Sequence, residues 1–429
     1  MNPTPPTAPQ SSLALLLARI VLYLGLLGFW FLWSASNVFL PGPATQWLEW
    51  PLSIALIGVI ISIFWRKIRL FQSWRSAGIG AALFAILLVW LAWDDAAVTH
   101  PLTLDELSPA PAQAAESYQL TLAYTQIDGK AARGELPGAK ISLENSPVTK
   151  LEAWRAEIVK EQEKIAAEWT ALAPARDWLG EMDRFAAIGD LPEAKFDARV
   201  MSTSSLRRVV DAACAQAALL ALEGKGDEAI ATLRPVLSVA FKLERDARSE
   251  LRLLVASRSI HRACATAQLV LATTPVSAAE RAALAAIIAG RDLKSAAHRL
   301  AWLPYVFAYE AMIKNPGEMF GFVTSEMGVR QAWAVTMMSA IRPFTLLPKQ
   351  TANLLAHFSG TVEQMLLNPT HDSPSPGSVE VLRLANSSSP KNYFGRVLLV
   401  IAIPNYRQIG ENLHNGEAAR LKLLEELKR

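Results

Sequence analysis

Apolar residues along this chain follow two different rules. From Leu13 to Trp93 they form three nearly unbroken runs, and from Ser146 onward they recur at intervals of three and four. The first run, Leu13 to Ala35, carries Arg19 as its only charge and reaches about 34 Å as a helix. The second, Trp47 to Trp65, reaches about 28 Å with Glu49 near its end, and the third, Ala77 to Trp93, about 25 Å. Spanning a bilayer takes roughly 20 apolar residues, so all three are expected to be membrane spans, the third close to the short limit. Ser34-Ala35-Ser36 offers small residues for signal cleavage. The apolar core before it is too long for a signal, and residues 1–12 hold no basic residue, so the first run is read as an anchor.

The helical rule begins at Ser146-Pro147, an N-cap followed by proline at the first helical position. Leu151, Trp154, Ile158, Ile165, Trp169 and Leu172 then draw one apolar stripe along a helix predicted to end near Pro174. Glu157, Lys160, Glu161, Glu163 and Lys164 form its solvated face. Between Ser204 and Leu243, Leu206, Val210, Ala213, Ala217 and Leu220 line one helix, Gly224-Lys225-Gly226 breaks it, and Asp227 is predicted to cap a second. That second helix bears Ile230, Leu233, Val236, Ala240 and Leu243, and Pro235 is expected to interrupt it. Two helices follow at Ser249 to Ala272 and Ser277 to Ala289, the latter opening on a Ser277/Glu280 capping box. Another runs from Leu293 to Ile313 and ends at Asn315-Pro316-Gly317.

The 204–243 hairpin resembles a tetratricopeptide repeat: Ala217, Leu220, Gly224 and Ala229 fall at that family's spacing. It departs from the pattern at Ala213, where the family has an aromatic residue, at Phe241, where it has proline, and at Pro235. No second copy occurs at a 34-residue offset, where Arg258 would replace the turn glycine. The resemblance implies stacked helical hairpins, an α-solenoid-like domain and a role in protein–protein interaction.

The remaining stretches read as follows. Asp94 to Gln113, with Pro101, Pro109 and Pro111, is a tether. Residues 116–141 suit either a short helix or a hairpin arm. Met319, Met327, Met337, Met338 and Met365 fill an apolar core segment. Asn368 to Pro390 is a surface loop, Val397 to Ile403 a buried turn or strand too short to span a bilayer, and Tyr406 to Arg429 an amphipathic helix.

Charge orients the anchor. The loop between the second and third runs carries Arg66, Lys67, Arg69 and Arg75, whereas the loop between the first and second carries no charge. Basic loops are retained in the cytoplasm, which places the amino terminus inside and everything after Asp94-Asp95 outside. Trp30, Trp33, Trp47, Trp50, Trp65, Trp74, Trp90 and Trp93 lie near predicted span ends, where indoles anchor at the interface.

The whole chain carries +3, with five basic residues and one acidic residue up to Trp93, so the outer region is close to neutral. It lacks the basic footprint of a nucleic-acid binder. There is no zinc-protease helix, phosphate-cradling loop, nucleophile elbow or Cys-x-x-Cys. The histidines are scattered, and His261 with Cys264 has no further spaced ligands, so neither a metal nor another cofactor is expected. Cys214 and Cys264, both on predicted helices, either form a disulfide closing a loop of about fifty residues, worth roughly 3–4 kcal/mol, or stay as separate buried thiols.

These readings give a mainly α protein: a tail at 1–12, a three-helix membrane anchor at 13–93, a linker at 94–115 and a helical domain at 116–429. The expected location is the plasma (inner) membrane of the cell, with the domain extracytoplasmic, hence periplasmic in a Gram-negative envelope. The expected role is interaction or scaffolding, with the bilayer as one partner and another envelope protein, bound by the hairpin surface around Leu206 to Ala289, as the other. No catalytic motif points to an enzyme. The alternative is an envelope enzyme or small-ligand carrier using a pocket in the region 302–365 lined by Trp302, Tyr305, Tyr309 and Glu310. Transport fits poorly with three spans that carry no charge at their centres.

Overall fold

A glycine turn sets the centre of the fold. Gly224 adopts φ +78°, a conformation that side chains with a Cβ rarely take, and it folds helix α6 (Thr203–Leu222) back onto α7 (Gly226–Arg245). The computed structural model describes residues 20, 25, 74–112, 114–120, 122, 150–192, 203–314, 346–368, 392 and 406–428. Among them 81% are helical and none lies in a strand, so the chain is mainly α. The remaining helices are α1 (Trp74–Ala92), α2 (Leu104–Leu107), α3 (Leu151–Lys160), α4 (Gln162–Ala171), α5 (Ala173–Arg184), α8 (Glu250–Thr273), α9 (Ala278–Ile288), α10 (Leu293–Lys314), α11 (Pro348–Leu367) and α12 (Tyr406–Lys428). The chain forms two units. One gathers residues 1–100, 312–358 and 374–404, and the other 101–311, 359–373 and 405–429.

In the second unit, Ala213, Ala217 and Ala229 are fully buried, and side chains this small let α6 and α7 approach closely. Pro235 lies within α7 without ending it; the helix continues to Arg245, held by Leu233, Val236, Leu237, Val239 and Ala240 in the core. This corrects the expected interruption: burial of both flanks outweighs the hydrogen bond a proline removes. Asp227 also departs from its expected role, because it sits inside the first turn and accepts from the Ser277 backbone N–H at 2.7 Å, tying α7 to the start of α9. Gly226 is needed where those two turns meet: a Cβ there would lie 2.2 Å from the Pro275 carbonyl oxygen.

Helix α8 packs on α6, α7 and α12. Leu253, Ala256, Ile260, Ala263, Ala267 and Val270 are fully buried, as expected of a helix enclosed on several sides. Helices α3, α4 and α5 cover the hairpin from the other side. The stripe of Trp154, Ile158, Ile165 and Leu172 is buried as the pattern predicts, but the helix is broken at Glu161 and Leu172. Pro174 opens α5 and does not close its predecessor, a proline-first start. Ser277 caps α9 through the Glu280 N–H at 3.4 Å, but the expected box stays open, because the Ser277 N–H donates to Asp227 and the Glu280 carboxylate pairs with Arg234 at 3.1 Å; the Leu293 helix runs through Pro304 to Lys314.

The expected tether is packed. Thr103 and Glu106 form a reciprocal capping box on α2, Leu104 and Leu107 are buried, and Ser108 donates to the Ala247 carbonyl at 2.9 Å. Gly189 allows residues 114–120 to press close, since a Cβ would lie 1.9 Å from the Ala114 carbonyl oxygen. Its N–H donates to Ser117 Oγ at 2.7 Å.

In the first unit, α1 carries the third apolar run. Among the described residues no helix is long and apolar enough to cross a membrane. Helix α1 opens on Trp74-Arg75, and its uncharged remainder is about 25 Å long, short of a hydrocarbon core of roughly 30 Å. Gly25 lies close against it: a Cβ there would be 2.5 Å from the Phe84 ring. The first two runs, Arg66, Lys67 and Arg69, residues 123–149, positions 318–345 of the methionine segment that extends to Met365, most of the 368–390 loop and the 397–403 run lie outside the described residues; Met365 itself is half-buried on α11.

Candidate functional site

A cavity of about 560 Å³ opens in the second unit between α6, α8, α10 and α12. Its interior is apolar: Leu253, Val210, Leu300 and Leu413 line it, and each is at most 2% exposed. The hydroxyls in the wall are already engaged. Ser257 Oγ accepts from Arg291 Nη2 at 3.1 Å, and Ser259 Oγ donates to the Val255 carbonyl at 2.7 Å.

The mouth is cationic. Among the described residues Arg207, Arg258 and Arg262 line the cavity with a single acid, Asp211. Helical spacing brings them together: Arg207 and Asp211 lie one turn apart on α6, and Arg258 and Arg262 one turn apart on α8. Arg262 Nη1 is hydrogen-bonded to Asp211 Oδ1, and Arg207 Nε stands 3.9 Å from the other carboxylate oxygen. Arg258 has no acidic partner among the described residues. Burial lowers the proton affinity of Arg258 and Arg262, and the nearby Arg207 charge lowers both further. The cavity thus pairs an uncompensated positive rim with an apolar floor, an arrangement that suits an anion with a hydrocarbon portion.

Of the residues expected to line a pocket, Trp302, Tyr305 and Tyr309 stack as a ladder in this unit, while positions 315–345 of the expected pocket region lie outside the described residues. Tyr305 is fully buried, meets Trp302 edge-on at 5.5 Å and stacks on Tyr309 at 5.6 Å. Burial pushes the Tyr305 hydroxyl well above its usual range, with Tyr309 adding to the effect. Trp302 Nε1 donates to Glu363 at 2.8 Å, and the same carboxylate meets His298 Nδ1 at 3.0 Å. Glu310 is buried and accepts the Leu104 backbone N–H at 2.7 Å, so it fixes the strap of α2.

Cys214 and Cys264 are both free and buried. Burial pushes each thiol up to about 12, which leaves them protonated and unreactive at neutral pH. For His261, three residues before Cys264, burial and the Arg291 charge lower the value, so the ring is neutral. Among the described residues no group of three or more His, Cys, Asp or Glu side chains converges as a metal site does. Arg75 lies in the first turn of α1, next to Trp74, which is 52% exposed.

Sequence reasoning missed the arginine-rimmed cavity because its residues come from four helices between positions 207 and 413. One local signal was present. Arg258 and Arg262 place like charges one helical turn apart, a mildly unfavourable pair that a folded chain keeps more readily when something opposes it. No family model, no curated protein and no solved structure matches the chain.

Proposed function

We propose that the protein is a membrane-anchored interaction or scaffolding protein of the cell envelope, with its helical unit on the outer face. The observation that carries this reading is the exposed side of α1. Ile79, Leu83, Ile86 and Val89 are 57–64% exposed, and Trp74, Trp90 and Trp93 stand exposed at the two ends. A stripe of large apolar side chains between terminal indoles is costly in water and suits the hydrocarbon region with interfacial anchors. A helix a few ångströms shorter than the core is accommodated by local thinning and by snorkelling of a flanking residue such as Arg75, or by packing against another span. The runs at 13–35 and 47–65 supply the companion spans in this reading.

The partner in this reading is another envelope protein that meets the outer helical unit, where the α6–α7 hairpin itself offers it little surface, because α3, α4, α5, α8 and α9 already pack against it. Reporter-enzyme fusions after Arg75 and after Arg429 test the arrangement. A cytoplasmic signal at the first and an extracytoplasmic signal at the second are expected. A cytoplasmic signal at the carboxyl terminus, or release of the full chain from membranes by alkaline carbonate, would overturn the reading.

A further inference from the structure

The arginine-rimmed cavity lies wholly within the second unit, apart from the helix on which the membrane reading rests. Its volume of about 560 Å³ falls in the range of small-molecule sites, roughly 300–1,000 Å³, and is too small to receive a folded partner. Its polarity is graded with depth. The Arg207 and Asp211 side chains are 57% and 35% exposed at the rim, while Leu253, Val210 and Leu300 below them are at most 1% exposed. Three guanidinium groups face one carboxylate, and that carboxylate is shared between Arg262 and Arg207. Arg258 is left over. Guanidinium groups bind carboxylates and phosphates through paired N–H donors, and they do so most strongly beside low-dielectric walls. Among the described residues the cavity offers a polar ligand few groups besides the rim: Ser259 donates within its own helix, Ser257 Oγ accepts from Arg291, and Asn412 stands in the lining.

We propose that this cavity binds one anionic single-chain amphiphile, its carboxylate or phosphate head held at Arg207 and Arg258 and its hydrocarbon tail laid on Val210, Leu253, Leu300 and Leu413. A fatty acid and a phosphate-headed lipid fragment share this chemistry. A neutral alcohol of the same length fills the floor and leaves the rim charge unanswered. An inorganic anion alone answers the rim and leaves the floor empty.

The test uses the full chain in lipid nanodiscs and a diazirine-bearing octanoate, with crosslinked residues mapped by mass spectrometry. Labelling is expected on α6, α8, α10 and α12 at the cavity walls. Octanoate and octyl phosphate are expected to compete with it, and octanol to compete about tenfold less well at equal concentration. The stronger competitor of the two anions identifies the natural head group. Arg258→Glu and Arg207→Glu, both at exposed positions and so expected to fold, should each cut the labelling about tenfold or more while the buried thiols stay protected. Three results would overturn the proposal: octanol competing as well as octanoate, a folded Arg258→Glu variant labelled like the unaltered chain, or labels spread without preference for the cavity walls.

Discussion

Glu250 shows how one side chain carries a pH dependence. It opens α8 with Oε1 buried and without a hydrogen-bond partner, and burial raises its value from 4.5 to about 7. The sign follows from linkage. The folded state holds this proton more tightly than the unfolded state, so stability falls as pH rises from about 4.5 to about 7, and the loss is complete above that. The cost at pH 8 is at most about 3 kcal/mol, reduced by the favourable position of a carboxylate at a helix N-terminus. Glu250→Gln is therefore expected to stabilise the helical unit by about 2 kcal/mol at pH 8 and to have no effect at pH 4. Urea unfolding read by labelling of Cys214 and Cys264, both buried thiols of that unit, measures it. An equal gain at both pH values would remove Glu250 as the titrating group.

At the scale of an element, the start of α11 depends on a residue more than 250 positions earlier in the chain. Asp94 accepts the Lys349 N–H at 3.0 Å and the Gln350 N–H at 2.8 Å, which satisfies two of the amides that any helix leaves open at its N-terminus. Asn353 returns the contact, donating to Asp95 at 2.7 Å and accepting from Thr99 N–H at 2.8 Å. On the inner side, Asn392 Oδ1 accepts the Leu347 N–H at 2.9 Å. Asp94→Ala is expected to loosen this end by about 1 kcal/mol, read as faster hydrogen exchange at Lys349 and Gln350 with the thiols of the other unit still protected. Unchanged exchange at those amides would show that water replaces the carboxylate without cost. Helix α9 contrasts with this: Ser277 caps it through a backbone N–H three residues on, so sequence alone located its start, although the Glu280 carboxylate turns to Arg234 instead of closing a box.

At the scale of the whole helical unit, a buried charge network clasps the last helix in place. Arg291, 1% exposed in its side chain, forms paired bonds of 2.7 and 2.8 Å to Glu244 and reaches Glu417 at 3.2 Å. Arg420 meets Glu417 at 2.9 Å and donates to the Ile288 carbonyl at 2.8 Å, so α7, α9 and α12 share one network. Burial alone would lower the Arg291 value and raise that of Glu417, but the paired charges outweigh it in both cases. Gly416 lets α12 pass close to α8, where a Cβ would stand 3.4 Å from His261. Arg291→Leu is expected to cost about 3–5 kcal/mol, because it leaves Glu244 buried without its partner. Adding Glu244→Leu should recover part of the loss; thiol labelling in urea compares the two variants. If the double variant were no more stable than the single one, the cost would lie in packing and not in the unpaired charge.

What the sequence determined by itself was local: the α class, the α6–α7 hairpin at Gly224, the Ser277 cap and the buried stripe through Trp154 and Ile165. Each follows from residue spacing within one or two helical turns, where side-chain period and backbone preference act directly. Tertiary structure decided which faces meet. Burial on both sides carried α7 through Pro235 and α10 through Pro304, and long-range contacts made a packed strap of the expected tether. The same kind of contact stacked Trp302, Tyr305 and Tyr309 and set Glu310 against the start of α2. The cavity was hidden for the same reason: its arginines sit on two helices and its floor on four, and only their packing sets Arg258 against an apolar chamber with no acidic partner among the described residues.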